Sequence, residues 1–89
     1  MRDPKNKIRL YQKALKKWGP DTQILKTIEE LCELVLALLG TDQEKIHEEM
    51  ADVEIMLEQL EVSFGCRNMV KCQKLVKLNR LKGWINETD

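Results

Sequence analysis

Residues 28–53, IEELCELVLALLGTDQEKIHEEMADV, are the most informative segment of the chain about its fold. Apolar residues recur three and four positions apart on both sides of Gly40, and neither half alternates as a β-strand does. Gly40 ends the first helical pattern, and residues 41–44 have the Thr-x-x-Glu form of a capping box, which starts a second one. The stretch therefore predicts two consecutive helices joined by a short turn.

The same signals extend outward to the rest of the chain. Gly19-Pro20 separates an earlier apolar pattern from the second helix, for which Asp21 or Thr22 is the predicted N-cap, and Gly65 ends the third helix. The first predicted helix covers residues 5–18, and the second starts after Pro20 and runs to residue 39. The third starts at residue 41 or 42 and ends at Gly65, and the fourth covers residues 67–84. Because the links are short, we predict an all-α, four-helix bundle-like protomer that forms one domain over residues 1–89.

The second helix is apolar over too much of its circumference for a small monomer. Ile24, Ile28, Leu31 and Val35 form one stripe, and Leu34 widens the apolar surface towards Glu30. We expect the other helices of the bundle to cover the first stripe and a second subunit to cover the rest. A chain of 89 residues also has a small core. The sequence thus predicts a homo-oligomer, with dimer and tetramer both open.

Composition excludes several classes of protein. Lys and Arg number 15 and Asp and Glu number 15, so the formal net charge is zero, which argues against nucleic acid as a partner. The three cysteines form no CxxC pair and no apolar leader opens the chain, so we expect a reduced, cytoplasmic protein. The longest apolar run, residues 34–39, is shorter than the roughly 20 residues that cross a bilayer.

Two acidic motifs carry the chemistry. Glu30 and Glu33 lie three residues apart on the second helix, and Glu49 and Asp52 lie three apart on the third. Each pair therefore shares a helix face, where carboxylates repel each other unless a cation or a proton lies between them. Carboxylate oxygens are hard ligands that suit Mg²⁺ or Mn²⁺ and not zinc.

Most acidic pairs on helices are solvated surface, so their positions on the helices decide the interpretation. Glu49 lies within the apolar stripe that contains Val53 and Met56, with Asp52 at its edge, and Glu30 enters an apolar stripe of the second helix. Because burial of an unpaired charge is costly, these carboxylates need partners. A basic side chain is one candidate partner, and a metal ion shared by both helices is the other.

The residues around both motifs resemble the MazG-like family of all-α nucleoside triphosphate pyrophosphohydrolases, whose superfamily also includes dimeric dUTPases. The similarity lies in residues 28–34, IEELCEL, and 48–53, EEMADV, which follow the family order of ExxE, spacer and ExxD with 15 residues between Glu33 and Glu49. The stretch from Trp18-Gly19 to Gln23 and the KLNRL of residues 77–81 are similar to small, phage-type members. The resemblance extends from residue 18 to residue 81.

This resemblance implies cleavage of a nucleoside triphosphate between its α- and β-phosphates, giving a monophosphate and pyrophosphate, for housekeeping or control of the nucleotide pool. Glu30, Glu33, Glu49 and Asp52 would hold Mg²⁺, with Mn²⁺ as an alternative, and would be the catalytic residues. The metal would neutralise phosphate charge and activate a water molecule. Which carboxylate orients or deprotonates that water stays open, and so does the base of the nucleotide.

Basic residues of the fourth helix are the candidates for binding the substrate phosphates. Lys77 and Arg80 match the basic stretch of the family, and Lys74 enters the apolar face of the same helix. The alternative for each is an exposed side chain that covers apolar surface with its stem. The alternative function for the whole chain is a non-catalytic helical interaction module, or a relative that binds nucleotide without turnover.

Other residues have mainly a packing interpretation. Tyr11, Trp18 and Trp84 are the predicted large packing groups, although one aromatic ring has the option of stacking on a base. Cys32 is predicted to lie in the core. Gln23 is a candidate for contact with the nucleotide, but its position in the first turn of a helix explains it equally well.

Overall fold

The computed structural model describes residues 6–85, which form four α-helices and contain no strand. The helices are α1 (Lys7–Trp18), α2 (Pro20–Leu39), α3 (Gln43–Ser63) and α4 (Arg67–Trp84). The all-α prediction is confirmed, and α4 has the predicted bounds. Residue 5, the predicted start of α1, lies outside the described residues.

Helix α3 starts at the second of its two predicted positions, Asp42. The side chain of Asp42 is the N-cap and accepts a hydrogen bond from the backbone N–H of Lys45 at 3.2 Å. The predicted capping box with Thr41 as N-cap is therefore wrong by one position. An ionised carboxylate at the N-terminus of a helix also interacts favourably with the helix dipole, which a threonine hydroxyl does not.

The junction between α1 and α2 also differs from its prediction. Gly19 closes α1 by donating its N–H to the carbonyl of Leu15 at 2.8 Å, and its positive φ of 83° suits glycine. Helix α2 then begins directly at Pro20, whose fixed φ is already helical. Asp21 and Thr22 are consequently inside the first turn, and the prediction that either is the N-cap is wrong.

Three of the helices pack together and the fourth is peripheral. Helices α2 and α3 form the largest helix pair, α1 lies against both, and the backbone of α4 approaches only α3. Helix α1 is anchored to α3 by Glu58, which accepts hydrogen bonds from Lys7 Nζ at 3.0 Å and from the hydroxyl of Tyr11 at 2.8 Å. The four helices therefore do not surround one common core.

The buried face of α2 is polar. Gln23, Thr27 and Glu30 are its buried residues, spaced by four and three positions, and the hydroxyl of Thr27 donates to the backbone carbonyl of Gln23 at 2.7 Å. This face meets α3, where Glu49 is buried beside Val53 and Met56. Carboxyl and amide groups thus occupy the interface between the two main helices.

The apolar face of α2 is largely exposed in the single chain. Ile28, Leu31 and Val35 are all exposed, so the prediction that the chain's own helices cover this stripe is wrong. Leu39, at the C-terminal end of the helix, is 80% exposed. The reason is geometric, because α3 packs on the polar face of α2 and α4 does not reach this helix. Among the described residues, no helix is both long and apolar enough to cross a membrane.

Four side chains were predicted to be packed, namely the three aromatic groups and Cys32, and only one of these predictions is confirmed. Tyr11 is buried, with 5% of its surface exposed, whereas Trp84 is 78% exposed and Trp18 is half-exposed. Cys32 is also exposed, so its predicted core position is wrong in the single chain. It lies on the side of α2 that faces away from α3, which the apolar pattern alone does not reveal.

Candidate metal centre

The two acidic motifs meet where α2 crosses α3. Glu30 is 6% exposed and Glu49 is 2% exposed, and Asp52 is partly buried beside them. The prediction that these glutamates enter the packed faces of their helices is confirmed. Glu49 is buried because it lies on the same face of α3 as Val53 and Met56, and this face packs against α2.

Carboxylate oxygens from the two helices converge on one point. One oxygen each from Glu30, Glu49 and Asp52 lie within 4.8 Å of one another, a spacing at which a single ion could contact all three. Glu33 adjoins this group, because its carboxyl interacts with those of Glu30 and Glu49. The structure thus brings all four predicted acidic residues together, three of them at ligand spacing.

Two lysines partly neutralise the acidic cluster. Lys26 Nζ lies 3.0 Å from Glu30 Oε1, and Lys45 Nζ lies 2.8 Å from Glu49 Oε1. Each lysine precedes its glutamate by four residues on the same helix, so a Lys-x-x-x-Glu spacing was the available sequence signal. These two residues are not among those that the sequence singled out. They are basic partners of the kind that the sequence allows as the alternative to a metal ion.

The lysines do not satisfy the cluster completely. Glu30 Oε2 and Glu49 Oε2 are buried and have no hydrogen-bond partner. Lys26 Nζ also lies 3.4 Å from Glu29 Oε1, so the two ammonium groups face five carboxylates, and the ionised cluster keeps an excess of negative charge. A buried carboxylate oxygen without a partner is costly, so the cluster requires a further cation or shared protons.

The pKa directions of the acidic side chains follow from this crowding. The negative charge of Glu30, together with partial burial, raises the pKa of Glu33, and burial with the nearby Glu30 and Glu49 raises the pKa of Asp52. The hydrogen bond from Lys45 instead lowers the pKa of Glu49. Without a cation, protons therefore bind first at Glu33 and Asp52, while Glu49 stays ionised.

The basic residues predicted to bind phosphate lie elsewhere in the chain. Lys74, Lys77 and Arg80 are exposed on α4, and no hydrogen bond or ion pair of residues 6–85 connects them to the acidic cluster. Lys74 lines a cavity of about 420 Å³ between α1, α3 and α4, whose wall also includes Tyr11 and Glu58. The single chain does not bring these cations to the carboxylates.

Comparisons of the chain with protein-family models, with curated proteins and with solved structures find no match. The fold and the site by themselves define a class, namely an all-α protein in which an ExxE motif on α2 and an ExxD motif on α3 form a carboxylate cluster between the two helices.

Proposed function

We propose that the chain is a Mg²⁺-dependent nucleoside triphosphate pyrophosphohydrolase that works as a homo-oligomer. The observation that carries the proposal is the pair of buried, unpartnered oxygens of Glu30 and Glu49 beside Asp52. Structural ion pairs need no such unpartnered oxygens, whereas a cation site does. The resemblance of both motifs to the MazG-like family supplies the substrate class and the bond that is cleaved.

The donor set fits Mg²⁺ or Mn²⁺. All candidate ligands are carboxylate oxygens, and a divalent cation would reduce the excess negative charge of the cluster. Glu30, Glu49 and Asp52 would hold the ion, with Glu33 as a fourth ligand or as the group that orients water. When bound, the ion supplies charge neutralisation at the phosphates and acidifies water.

The side chains of this chain have separate roles in the proposed reaction. Glu33 adjoins the metal ligands and has a raised pKa, so it is a candidate general base. Lys26 and Lys45 hold the two buried glutamates in place without metal, and each is about half exposed. When a cation takes over the neutralisation, their ammonium groups are available to the phosphates of the substrate.

A second copy of the chain is part of the proposal. The apolar face of α2 and the apolar residues of α4 are exposed, and a stable 89-residue protein needs them covered. Lys74, Lys77 and Arg80 are proposed as phosphate ligands only in such an assembly, because α4 does not reach the acidic cluster of its own chain. Dimer and tetramer both satisfy this requirement.

Pyrophosphate release from a panel of ribo- and deoxyribonucleoside triphosphates tests the proposal. We expect turnover of at least one triphosphate with Mg²⁺ and none with EDTA. Absence of metal-dependent turnover for every triphosphate would reject the enzymatic function. Retained turnover in Glu49→Ala would reject the assigned metal site instead.

The competing function is a non-catalytic helical interaction module. The observation in its favour is the amount of exposed apolar surface on α2 and α4, since such surface marks sites of protein association. This function accounts for the apolar faces but not for the unpartnered carboxylates. A protein that forms oligomers and neither binds Mg²⁺ nor releases pyrophosphate would favour it.

A further inference from the structure

A cavity of about 340 Å³ lies beside the acidic cluster, at the N-terminal end of α2. Its volume is at the low end of the range for ligand pockets, which suits one flat ring system. The lining residues come from the end of α1, from α2 and from α3: Trp18, Thr22, Gln23, Lys26, Met56 and Gln59. Apolar surface predominates, with two amide side chains as the main polar groups.

Gln23 is the unusual residue of this cavity. It is 2% exposed, and its Nε2 donates a hydrogen bond to Gln59 Oε1 at 3.1 Å. The remaining acceptor, Gln23 Oε1, is buried and has no partner. Buried amide oxygens in proteins are nearly always hydrogen-bonded, so an unpartnered one in a cavity wall indicates a ligand that donates an N–H or O–H.

The cavity and the carboxylates are connected along one helix face. Gln23 and Glu30 both lie on the buried face of α2, and seven residues correspond to about 10 Å along a helix axis. Lys26 lies between them, since it lines the cavity and its Nζ is 3.0 Å from Glu30 Oε1. The distance from a ring in the cavity to the acidic cluster would therefore be the distance that the sugar and the first phosphates of a nucleotide span.

Trp18 supplies a flat surface at the same cavity. Its indole is 55% exposed, and Lys17 Nζ lies 5.1 Å from the ring centroid. An exposed indole beside an apolar cavity is suited to stacking on a heterocycle, an interaction worth about 1–3 kcal/mol per base in nucleic-acid complexes. Stacking on a base would then explain why Trp18 is exposed, which a role in core packing does not explain.

We propose that this cavity is the nucleobase subsite, in which Gln23 Oε1 accepts an N–H of the base and Trp18 stacks on its ring. The inference rests on the proposed function, because it places the base of the same nucleotide whose phosphates meet the acidic cluster. Gln23 is then a specificity-determining residue, since an acceptor fixed by Gln59 selects bases with a donor at the matching edge.

The test uses Trp18 as the reporter. The chain has two tryptophans, so Trp84→Phe leaves Trp18 as the only one. In this background, each of the four deoxynucleosides is titrated at up to millimolar concentration in EDTA, so that neither phosphate nor metal contributes. We expect saturable quenching by at least one of them, loss of quenching in Gln23→Met, and unchanged quenching in Gln12→Met, the same substitution at an exposed position of α1.

Thr22→Phe provides a second variant, because Thr22 is exposed and lines the cavity, so the larger ring blocks the site without altering the buried face. Circular dichroism checks that each variant folds, above all Gln23→Met, because this substitution removes the hydrogen bond to Gln59 together with the unpartnered oxygen. Absence of quenching by every deoxynucleoside, or equal quenching in Gln23→Met and Gln12→Met, would overturn the subsite.

Turnover separates this inference from the proposed function. For an active enzyme, Gln23→Met should lower kcat/KM for the preferred triphosphate by about ten- to a hundred-fold, the effect of a lost buried hydrogen bond. Quenching without turnover of any triphosphate would keep the base site and reject the hydrolase. Turnover that is indifferent to both Gln23→Met and Thr22→Phe would keep the hydrolase and reject the base site.

Discussion

The two faces of α2 show opposite relations between polarity and burial. The face towards α3 buries Gln23, Thr27 and Glu30, whereas the opposite face exposes Ile28 and Val35. In an isolated globular protein the apolar face of a helix is expected to be the buried one. The inward polar face contains the proposed metal site, and the outward apolar face is the surface that the proposed homo-oligomer would cover.

The two faces also differ in how their energetic cost is met. The polar face keeps unpartnered oxygens on Glu30 and Glu49, a cost that a bound cation would remove. The apolar face leaves large side chains in water, a cost that association would remove. In the single chain, the polar face therefore lacks a partner for its carboxylate oxygens, and the apolar face lacks a covering surface. The predictions below test whether a cation and a second copy of the chain supply them.

The largest expected effect is at Glu49, the most buried member of the cluster. Glu49→Gln should lower metal-dependent pyrophosphate release by at least about a hundred-fold, because loss of groups that only orient metal ligands already costs 10- to 100-fold. Kinetics of the released pyrophosphate measure the effect. Glu48→Gln, at the exposed neighbouring position, is the matched control and should retain activity. Equal activities of both variants would mean that the buried polar face is structural.

The next effect concerns the apolar face. Leu36 and Leu39 are 69% and 80% exposed, and replacing both by glutamate should weaken self-association by about 3 kcal/mol or more. Light scattering should then show a lower mass for the variant than for the parent. Adding the same charges at exposed Thr41 and Gln43 is the control and should leave the mass unchanged. A monomeric parent would contradict the proposed homo-oligomer.

Mg²⁺ should stabilise the protein against heat. At a hundred-fold excess over its Kd, a ligand of the folded state adds about 2.7 kcal/mol, which corresponds to a rise in Tm on the order of 10 °C for a small domain. Thermal unfolding followed by circular dichroism measures the shift. The Glu30→Gln, Glu49→Gln double variant should lose it, and a shift that persists in this variant would place the ion elsewhere.

The Mg²⁺ effect should depend on pH in a defined direction. The raised pKa values of Asp52 and Glu33 mean that the folded protein without metal binds extra protons, so its stability falls as the pH rises through those values. The same deprotonation creates the ligands, so the stabilisation by Mg²⁺ should grow over the same pH range. A Tm shift that is constant from pH 4 to pH 8 would exclude carboxylate ligands with raised pKa values.

The smallest expected effect lies outside both faces, at the contact between α1 and α3. Burial opposes ionisation of Glu58, but hydrogen bonds from Lys7 and Tyr11 lower its pKa overall. Its contribution is therefore present above the ordinary glutamate pKa of about 4.3 and is lost as the pH falls through the lowered value. Glu58→Gln should cost about 1 kcal/mol at neutral pH, a small figure because the side chain is 39% exposed.

Thermal or urea unfolding of Glu58→Gln and the parent measures this difference, with exposed Glu54→Gln as the control. The stability difference between the two proteins should shrink as the pH falls through the lowered pKa of Glu58. A difference that is independent of pH would show that packing, and not the charge of Glu58, anchors α1 to α3.

Sequence patterns predicted most of the helices but fewer of the contacts between them. The bounds of α4 and the burial of Glu30 and Glu49 follow from spacing alone, because helical periodicity is local. The N-cap of α2 is Gly19 and not the predicted Asp21 or Thr22, and the start of α3 was left open between Thr41 and Asp42, since several neighbouring residues are acceptable caps. The covered stripe of α2 was mispredicted because an apolar pattern does not specify which molecule covers it.

Four helices and the helix faces of Glu30, Glu33, Glu49 and Asp52 follow from the sequence pattern alone. The folded arrangement was needed to show that the two motifs converge, that Lys26 and Lys45 pair with their glutamates, and that Gln23 Oε1 has no partner. The physical reason is that periodicity fixes the direction of a side chain on its own helix, whereas its partners depend on how two helices cross.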